Sequence, residues 1–307
     1  MNILVEHISK SFNTIRALED VSFEVGEGEL FGLIGPDGGG KTTLFRILTT
    51  LMLPDSGNAT VAGIPLSDYR AIRRSVGYMP GRFSLYQDLS VEENLKFFAS
   101  IFGTTVEANY HIIKDIYVQL EPFRTRRAGA LSGGMKQKLA LCCALVHRPT
   151  VLFLDEPTTG VDPVARKEFW EMLKRLKQTG IPILVSTPYM DEASLCDRVA
   201  LIQQGKILQT DTTAAITRSF RKKLFALKTT RVYELINDLQ RYEHAHSVYP
   251  FGENIHYTDT RSEPEPEDLR SFLFHKGYRD IEIKRIDPTI EDSFMELATE
   301  KFLTEMQ

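Results

Sequence analysis

The run Gly35-Pro36-Asp37-Gly38-Gly39-Gly40-Lys41-Thr42 constrains this chain most, because it fits the spacing GxxxxGK[ST]. The apolar segment LFGLIG leads into it and TTLFRILTTLML follows with a helical pattern. The glycines therefore stand where a buried strand hands over to a helix. Glycine lets backbone N–H groups curl round an anion with no Cβ in the way, and the helix N-terminus adds a positive dipole end. In that setting Lys41 reaches the β- and γ-phosphates of ATP, Thr42 holds Mg²⁺, and Thr43 opens the helix beside them.

A phosphate loop of this kind implies an α/β architecture, and the first ~220 residues alternate strand and helix patterns accordingly, which implies a parallel sheet with packed helices. Residues 42 to 53 read as a helix stopped by Pro54, and Ser90 with Glu93 forms a capping box ahead of VEENLKFFASIFG. The expected division is an ATP-binding domain over 1–222, with a helical subdomain at about 82–146, and a small α+β domain over 223–307. In that second part FALKTT, VYELINDLQRY, HSVYPFG, NIHYTDT, EDLRSFLFHKGY and DIEIKRI read as strand, helix, strand, strand, helix, strand. This is a ferredoxin-like order. Tyr249, Phe251 and Tyr257 are expected in its core or at an interface.

Composition narrows the function classes. The net charge of -4 over 307 residues lacks the basic excess that nucleic-acid binding demands, so no nucleic-acid partner is expected. Cys142, Cys143 and Cys196 show no CxxC spacing, which argues against a zinc site or a disulfide framework and suits a reducing cytosol. No stretch approaches the ~18 apolar residues of a membrane span, and MNILVEHISK has no apolar leader core. Membrane association is expected only through a protein partner.

Two further motifs complete a nucleotide site. Val151-Leu-Phe-Leu-Asp155-Glu156 is an apolar strand ending in paired acids. Asp155 is placed to support Mg²⁺ and Glu156 to act on the attacking water as the catalytic base. Ahead of it, Leu131-Ser132-Gly133-Gly134-Met135-Lys136-Gln137 puts a hydroxyl and glycine N–H groups at the start of a helix, where they suit an anion. This run resembles the signature of the ABC ATPase family, whose members bind ATP between two cassettes. In that family the signature of one cassette caps the γ-phosphate held on the other.

The resemblance implies further roles. Phe12 falls where the family stacks an aromatic on adenine, with Ala17 beside it, and Thr159-Gly160-Val161-Asp162 matches the D-loop at the dimer interface. Gly77-Tyr-Met-Pro approaches the Q-loop, where a membrane permease docks, and Thr187-Pro188-Tyr189-Met190-Asp191-Glu192-Ala193 matches the switch region. Phe83 to Asn94 resembles the branch that exports drugs, antibiotics and polysaccharides, and Asp287-Pro-Thr-Ile-Glu-Asp-Ser-Phe294 resembles the PxxEDxF segment that closes many ATPases of that branch.

Two positions depart from the family. Gly81 stands where the Q-loop has glutamine, and Pro188 where the switch has histidine. Glycine has no side-chain donor, and proline has none at side chain or backbone nitrogen. Gln87 is too far along the chain to substitute, and no histidine occurs between His147 and His244. The Asp37 carboxylate takes the place of a commoner asparagine. The resemblance therefore implies a cytoplasmic energy-coupling subunit on the inner face of the cell membrane. It binds Mg-ATP, drives a polytopic permease and is slow to hydrolyse nucleotide at its own site. Its expected ATP-binding partner is a different chain, the alternative being a homodimer. The competing readings are a soluble ABC regulator and a nucleic-acid- or ribosome-associated ABC ATPase.

Overall fold

The computed structural model describes residues 2–305, with side chains to 299. The chain divides after Thr213 into two compact units, nine residues before the position at which the composition changes.

The first unit runs β1 (Ile3–Phe12), β2 (Ile15–Val25), β3 (Leu30–Ile34), α1 (Lys41–Leu48), β4 (Ser56–Val61), β5 (Ile64–Pro65), α2 (Tyr69–Ser75), β6 (Val76–Met79), α3 (Val91–Ile101), α4 (Tyr110–Tyr117), α5 (Gly133–Leu145), β7 (Val151–Asp155), α6 (Pro163–Lys177), β8 (Ile183–Thr187), β9 (Arg198–Gln203) and β10 (Lys206–Asp211). Six strands form one sheet in the order β10-β9-β3-β8-β7-β6, parallel except at the β10 edge. β3, β7 and β8 are buried along their whole lengths, which is why each opens on consecutive apolar residues rather than an alternation, with polar residues only at the C-terminal ends of β7 and β8. A second, antiparallel sheet has the order β2-β1-β4-β5. A core of Val21, Phe31, Phe45, Leu48, Val61 and Phe153 ties it, through α1, to the first. α3, α4 and α5 form the helical arm, and Ser90 and Glu93 close the expected capping box on α3.

The helix after the phosphate loop is shorter than its pattern suggests. α1 ends at Leu48, where the Thr49 hydroxyl bonds back to Phe45 O at 2.7 Å and Thr50 takes a φ of 60°. The N–H groups of Leu51 and Met52 both turn back to Arg46 O. The residual apolar pattern in LML covers loop residues.

After α7 (Thr213–Ser219), the second unit runs β11 (Leu224–Lys228), α8 (Val232–Gln240), β12 (Ala245–Phe251), β13 (Asn254–Asp259), α9 (Pro266–His275), β14 (Glu282–Ile286) and α10 (Ile290–Glu305). Its four strands pair antiparallel in the order β12-β13-β11-β14, the ferredoxin-like arrangement expected from the element order. Leu235, Leu239, Leu269 and Leu273 pack from α8 and α9 on Phe225, Leu227, Ile255 and Tyr257.

The PxxEDxF segment has a definite structural task in this unit. Asp292, at the start of α10, is fully buried and accepts hydrogen bonds from Tyr249 Oη, from His256 Nδ1 at 2.6 Å, and from Thr289 N and Oγ1 at 2.7 and 2.6 Å. Burial pushes its carboxyl up, but these hydrogen bonds outweigh that and hold its pKa down to about 2.

Candidate nucleotide-binding site

The phosphate loop sits at the C-terminal end of β3, between the ends of β8 and β9. Gly35 must be glycine, because a Cβ there would meet Ile202 O at 2.0 Å. Gly40 caps α1 at a φ of 104°, and a Cβ on it would meet Ala17 O at 2.5 Å. Ala17 thus contributes its backbone, bringing β2 against the loop. Gly38 is also left-handed, and nothing approaches its Cβ position within 4 Å. α1, like α4, has no side-chain cap, whereas Asp68, Ser90, Ser132 and Asp162 cap α2, α3, α5 and α6. The first-turn N–H groups of α1 therefore face the loop opening free of a side-chain acceptor, which fits an anion.

Lys41 is almost fully buried, and Nζ donates to Gly35 O at 2.8 Å and Pro36 O at 3.0 Å. The same ammonium lies 3.2 Å from Glu156 Oε1 and 3.9 Å from Asp37 Oδ1. Thr42 Oγ1 donates to Asp155 Oδ1 at 3.3 Å, which places the two predicted Mg²⁺ residues side by side although they are 113 positions apart. Thr43 lies one residue further into the first turn of α1. A hydroxyl and a carboxylate on adjoining elements are hard oxygen donors, the chemistry that suits Mg²⁺. The Asp155 carboxylate also marks its surroundings: burial first, and then this charge, push Tyr78 up to about 12.

Sequence reasoning missed Ser186. Its hydroxyl donates to Asp155 Oδ1 at 2.7 Å and accepts from Glu156 N at 3.0 Å, so one buried side chain holds the Asp155 carboxylate and the Glu156 backbone. Glu156 is held at a φ of 50°, unusual for a non-glycine residue. The available signal was the pair of hydroxyl residues, Ser186 and Thr187, that ends the apolar run ILV.

Position 81 abuts the same corner. A Cβ on Gly81 would sit 3.0 Å from Asp155 O and 3.8 Å from the Glu156 Cβ, so a longer residue here would overhang both acids, and glycine presents nothing. Gln87 lies elsewhere, packed on Gly129 in the helical arm. Pro188 follows Thr187, whose hydroxyl accepts from Tyr189 N at 3.1 Å and donates to Glu192. Buried Glu192 also accepts from Thr158 at 2.7 Å, clamping the switch segment to the turn after β7. His147 is committed to the arm: its ring stacks on Phe102 at 3.7 Å and Nε2 bonds Val76 O, while burial pulls its pKa down.

The remaining predicted residues stand apart from the loop. Ser132 accepts from Met135 N at 3.3 Å as the cap of α5, with Gly133 and Gly134 in its first turn. Asp162 caps α6 through Val164 N and Ala165 N at 3.1 and 3.0 Å. Among the described residues no hydrogen bond or ion pair joins either segment to residues 35–42. Phe12 is 43% exposed at the tip of the β1–β2 hairpin, with Lys10 Nζ 5.9 Å from its ring centroid. No helix among the described residues is long and apolar enough to cross a membrane.

A family model described as ABC transporter matches residues 18–159. Over 275 residues the chain is 39% identical to the probable multidrug ABC transporter ATP-binding protein YbhF of Escherichia coli (strain K12). That match covers 88% of this chain and 47% of the relative, so the chain spans about half the length of the first curated relatives it matches. Nod factor export ATP-binding protein I of Rhizobium sp. (strain N33) is 35% identical over 297 residues, 95% of each chain. The solved structure of an ATP binding subunit of an ABC transporter matches with a TM-score of 0.65 and 30% identity, covering 72% of this chain and 93% of that one.

Proposed function

This chain belongs to the ATP-binding proteins of the ABC transporter family, and we propose that it binds Mg-ATP and couples it to an export permease. One observation carries this reading. Lys41 Nζ is fixed by Gly35 O and Pro36 O beside the uncapped start of α1, while Thr42, Asp155 and Ser186 converge next to it. Lys41 and the loop N–H groups hold phosphate oxygens, Thr42 and Asp155 hold the cation, and Glu156 is the group that accepts a proton from water. Bound Mg-ATP supplies the γ-phosphoryl group for transfer to water.

The hydrolytic side of this site is slow, and the second cassette is a different chain. Neither Gly81 nor Pro188 offers a side-chain donor toward the phosphate end of the site. Ser132 keeps a hydroxyl proton free while capping α5, so the signature can serve a nucleotide held on another cassette. That partner carries donors at its own two equivalent positions. The permease contact lies along the cleft of about 280 Å³ lined by Leu51, Met79, Leu85, Phe98 and Phe102, between the sheet and the arm. The names of the relatives support an exported cargo, the drug, antibiotic and polysaccharide class matching the segment Phe83 to Asn94. The chain works on the inner face of the cell membrane through that permease.

Calorimetric titration of the full chain with Mg-ATP tests the binding. Micromolar affinity that Lys41→Ala weakens by about a hundredfold is expected. Equal affinity in both proteins removes the reading. Brisk hydrolysis by the isolated chain, abolished by Glu156→Gln, would remove the slow site and favour a homodimer.

A further inference from the structure

We propose that Lys138 is a positioning residue, which sets the signature segment of the helical arm against α6. This rests on the proposed function for its consequence, though not for its geometry. Lys138 Nζ donates to Glu168 Oε2 at 2.7 Å and to Gln119 Oε1 at 2.5 Å. The lysine is only 9% exposed, so its charge depends on these two acceptors. Glu168 belongs to α6, whereas Lys138 and Gln119 belong to the arm. The pair therefore crosses from one substructure to the other.

A second contact lies along the same line. A Cβ on Gly134 would meet the Ala165 Cβ at 2.8 Å, so the first turns of α5 and α6 touch at a spot that tolerates only glycine. Gly134 and Lys138 are four residues apart on α5, and Ala165 and Glu168 are three apart on α6. Each pair lies on one face of its helix. Two contacts fix a direction where one would leave a pivot. The turn capped by Ser132 and the turn capped by Asp162 consequently hold one mutual setting, with Lys138 at its far end. In the proposed function these two turns face the second cassette together. A fault at Lys138 thus affects the joint site and spares the Lys41 loop.

The variants are Lys138→Met, which keeps the stem without the charge, Lys138→Arg, which keeps the charge, and Glu168→Gln. The first measurement is amide exchange in the full chain without nucleotide, a readout independent of activity. Lys138→Met is expected to speed exchange at residues 132–136 by about tenfold, while β7 and β3 stay protected. Glu168→Gln, which leaves a buried ammonium without its counter-charge, speeds it more, and the double variant returns to the level of Lys138→Met alone. Lys138→Arg restores protection. Mg-ATP affinity of the chain's own site changes by less than about twofold in Lys138→Met, while kcat of the assembled transporter falls by about tenfold or more. Unchanged exchange at 132–136 in Lys138→Met overturns the proposal. So does loss of protection spread evenly over the first unit, or failure of arginine to rescue. A wild-type chain that binds no ATP defeats the proposed function and leaves the exchange result standing.

Discussion

The Lys41 ammonium lies 3.2 Å from the Glu156 carboxylate, so the candidate phosphate-binding cation and the candidate base face each other across the loop mouth. Lys41 is buried and held by two backbone carbonyls, whereas Glu156 sits on a strained backbone secured through Ser186. The cation is thus the fixed partner of the pair. Ser186→Ala is expected to lower Mg-ATP hydrolysis more than tenfold while shifting the affinity for ADP without metal by less than threefold, since the hydroxyl orients the acids and not the loop. Steady-state kinetics beside metal-free ADP titration would check this.

Restoring the missing donors should raise hydrolysis. Pro188→His is the simpler change, because it adds a donor at a position that already carries a Cβ. Gly81→Gln puts a Cβ 3.0 Å from Asp155 O, so the loop must give by a few tenths of an ångström. The histidine variant should gain about tenfold or more in kcat, and the double variant should exceed it. Single-turnover hydrolysis of the assembled cassettes measures both, and a flat result would show that some other group limits the site.

Gly35→Ala tests the loop against the sheet. The added methyl meets the carbonyl of Ile202 at 2.0 Å, and backbone on both sides must move. Nucleotide binding should be lost, with a fall in thermal midpoint of several degrees, equivalent to about 2 kcal/mol or more. Gly38→Ala is the control, because it meets no neighbour and strains only its φ of +78°. It should retain most of the stability.

Acid should loosen the second unit through Asp292. Its folded pKa of about 2 lies below the ~4 of an unfolded aspartate, so its stabilising contribution is complete above about pH 4. That contribution shrinks as pH falls from 4 toward 2 and is gone below. Asp292→Asn should cost about 2 kcal/mol at pH 7 and flatten the acid limb. Amide exchange of β12 and β13 at pH 7 and pH 3 would reveal both effects, and an unaltered acid limb in the variant would assign the loss to another carboxylate.

Local chemistry made much of this molecule legible. The pattern of the candidate phosphate loop could be read because glycines, a lysine and a hydroxyl stand close together, and Lys41 bonds backbone carbonyls only a few residues away, at Gly35 and Pro36. The ferredoxin-like order and the capping box at Ser90 were legible for the same reason. The end of α1 was not, because Thr49 and Thr50 break a helix whose apolar pattern runs on to Leu53. Glu192 gave no sign of its role, since its hydroxyl partners Thr158 and Thr187 come from the turn after β7 and the end of β8.

By itself, then, the sequence determined which groups are present: a loop able to hold phosphate, two acids, an intact signature and no side-chain donor at positions 81 and 188. Only the tertiary structure decided which of them meet. Parallel pairing of β7 with β8 brings Ser186 to Asp155, and the packing of α5 on α6 brings Lys138 to Glu168, across separations of 31 and 30 residues. Short-range spacing is written in neighbouring residues, whereas these meetings follow from strand register and helix crossing, which the buried apolar core sets for the whole unit at once.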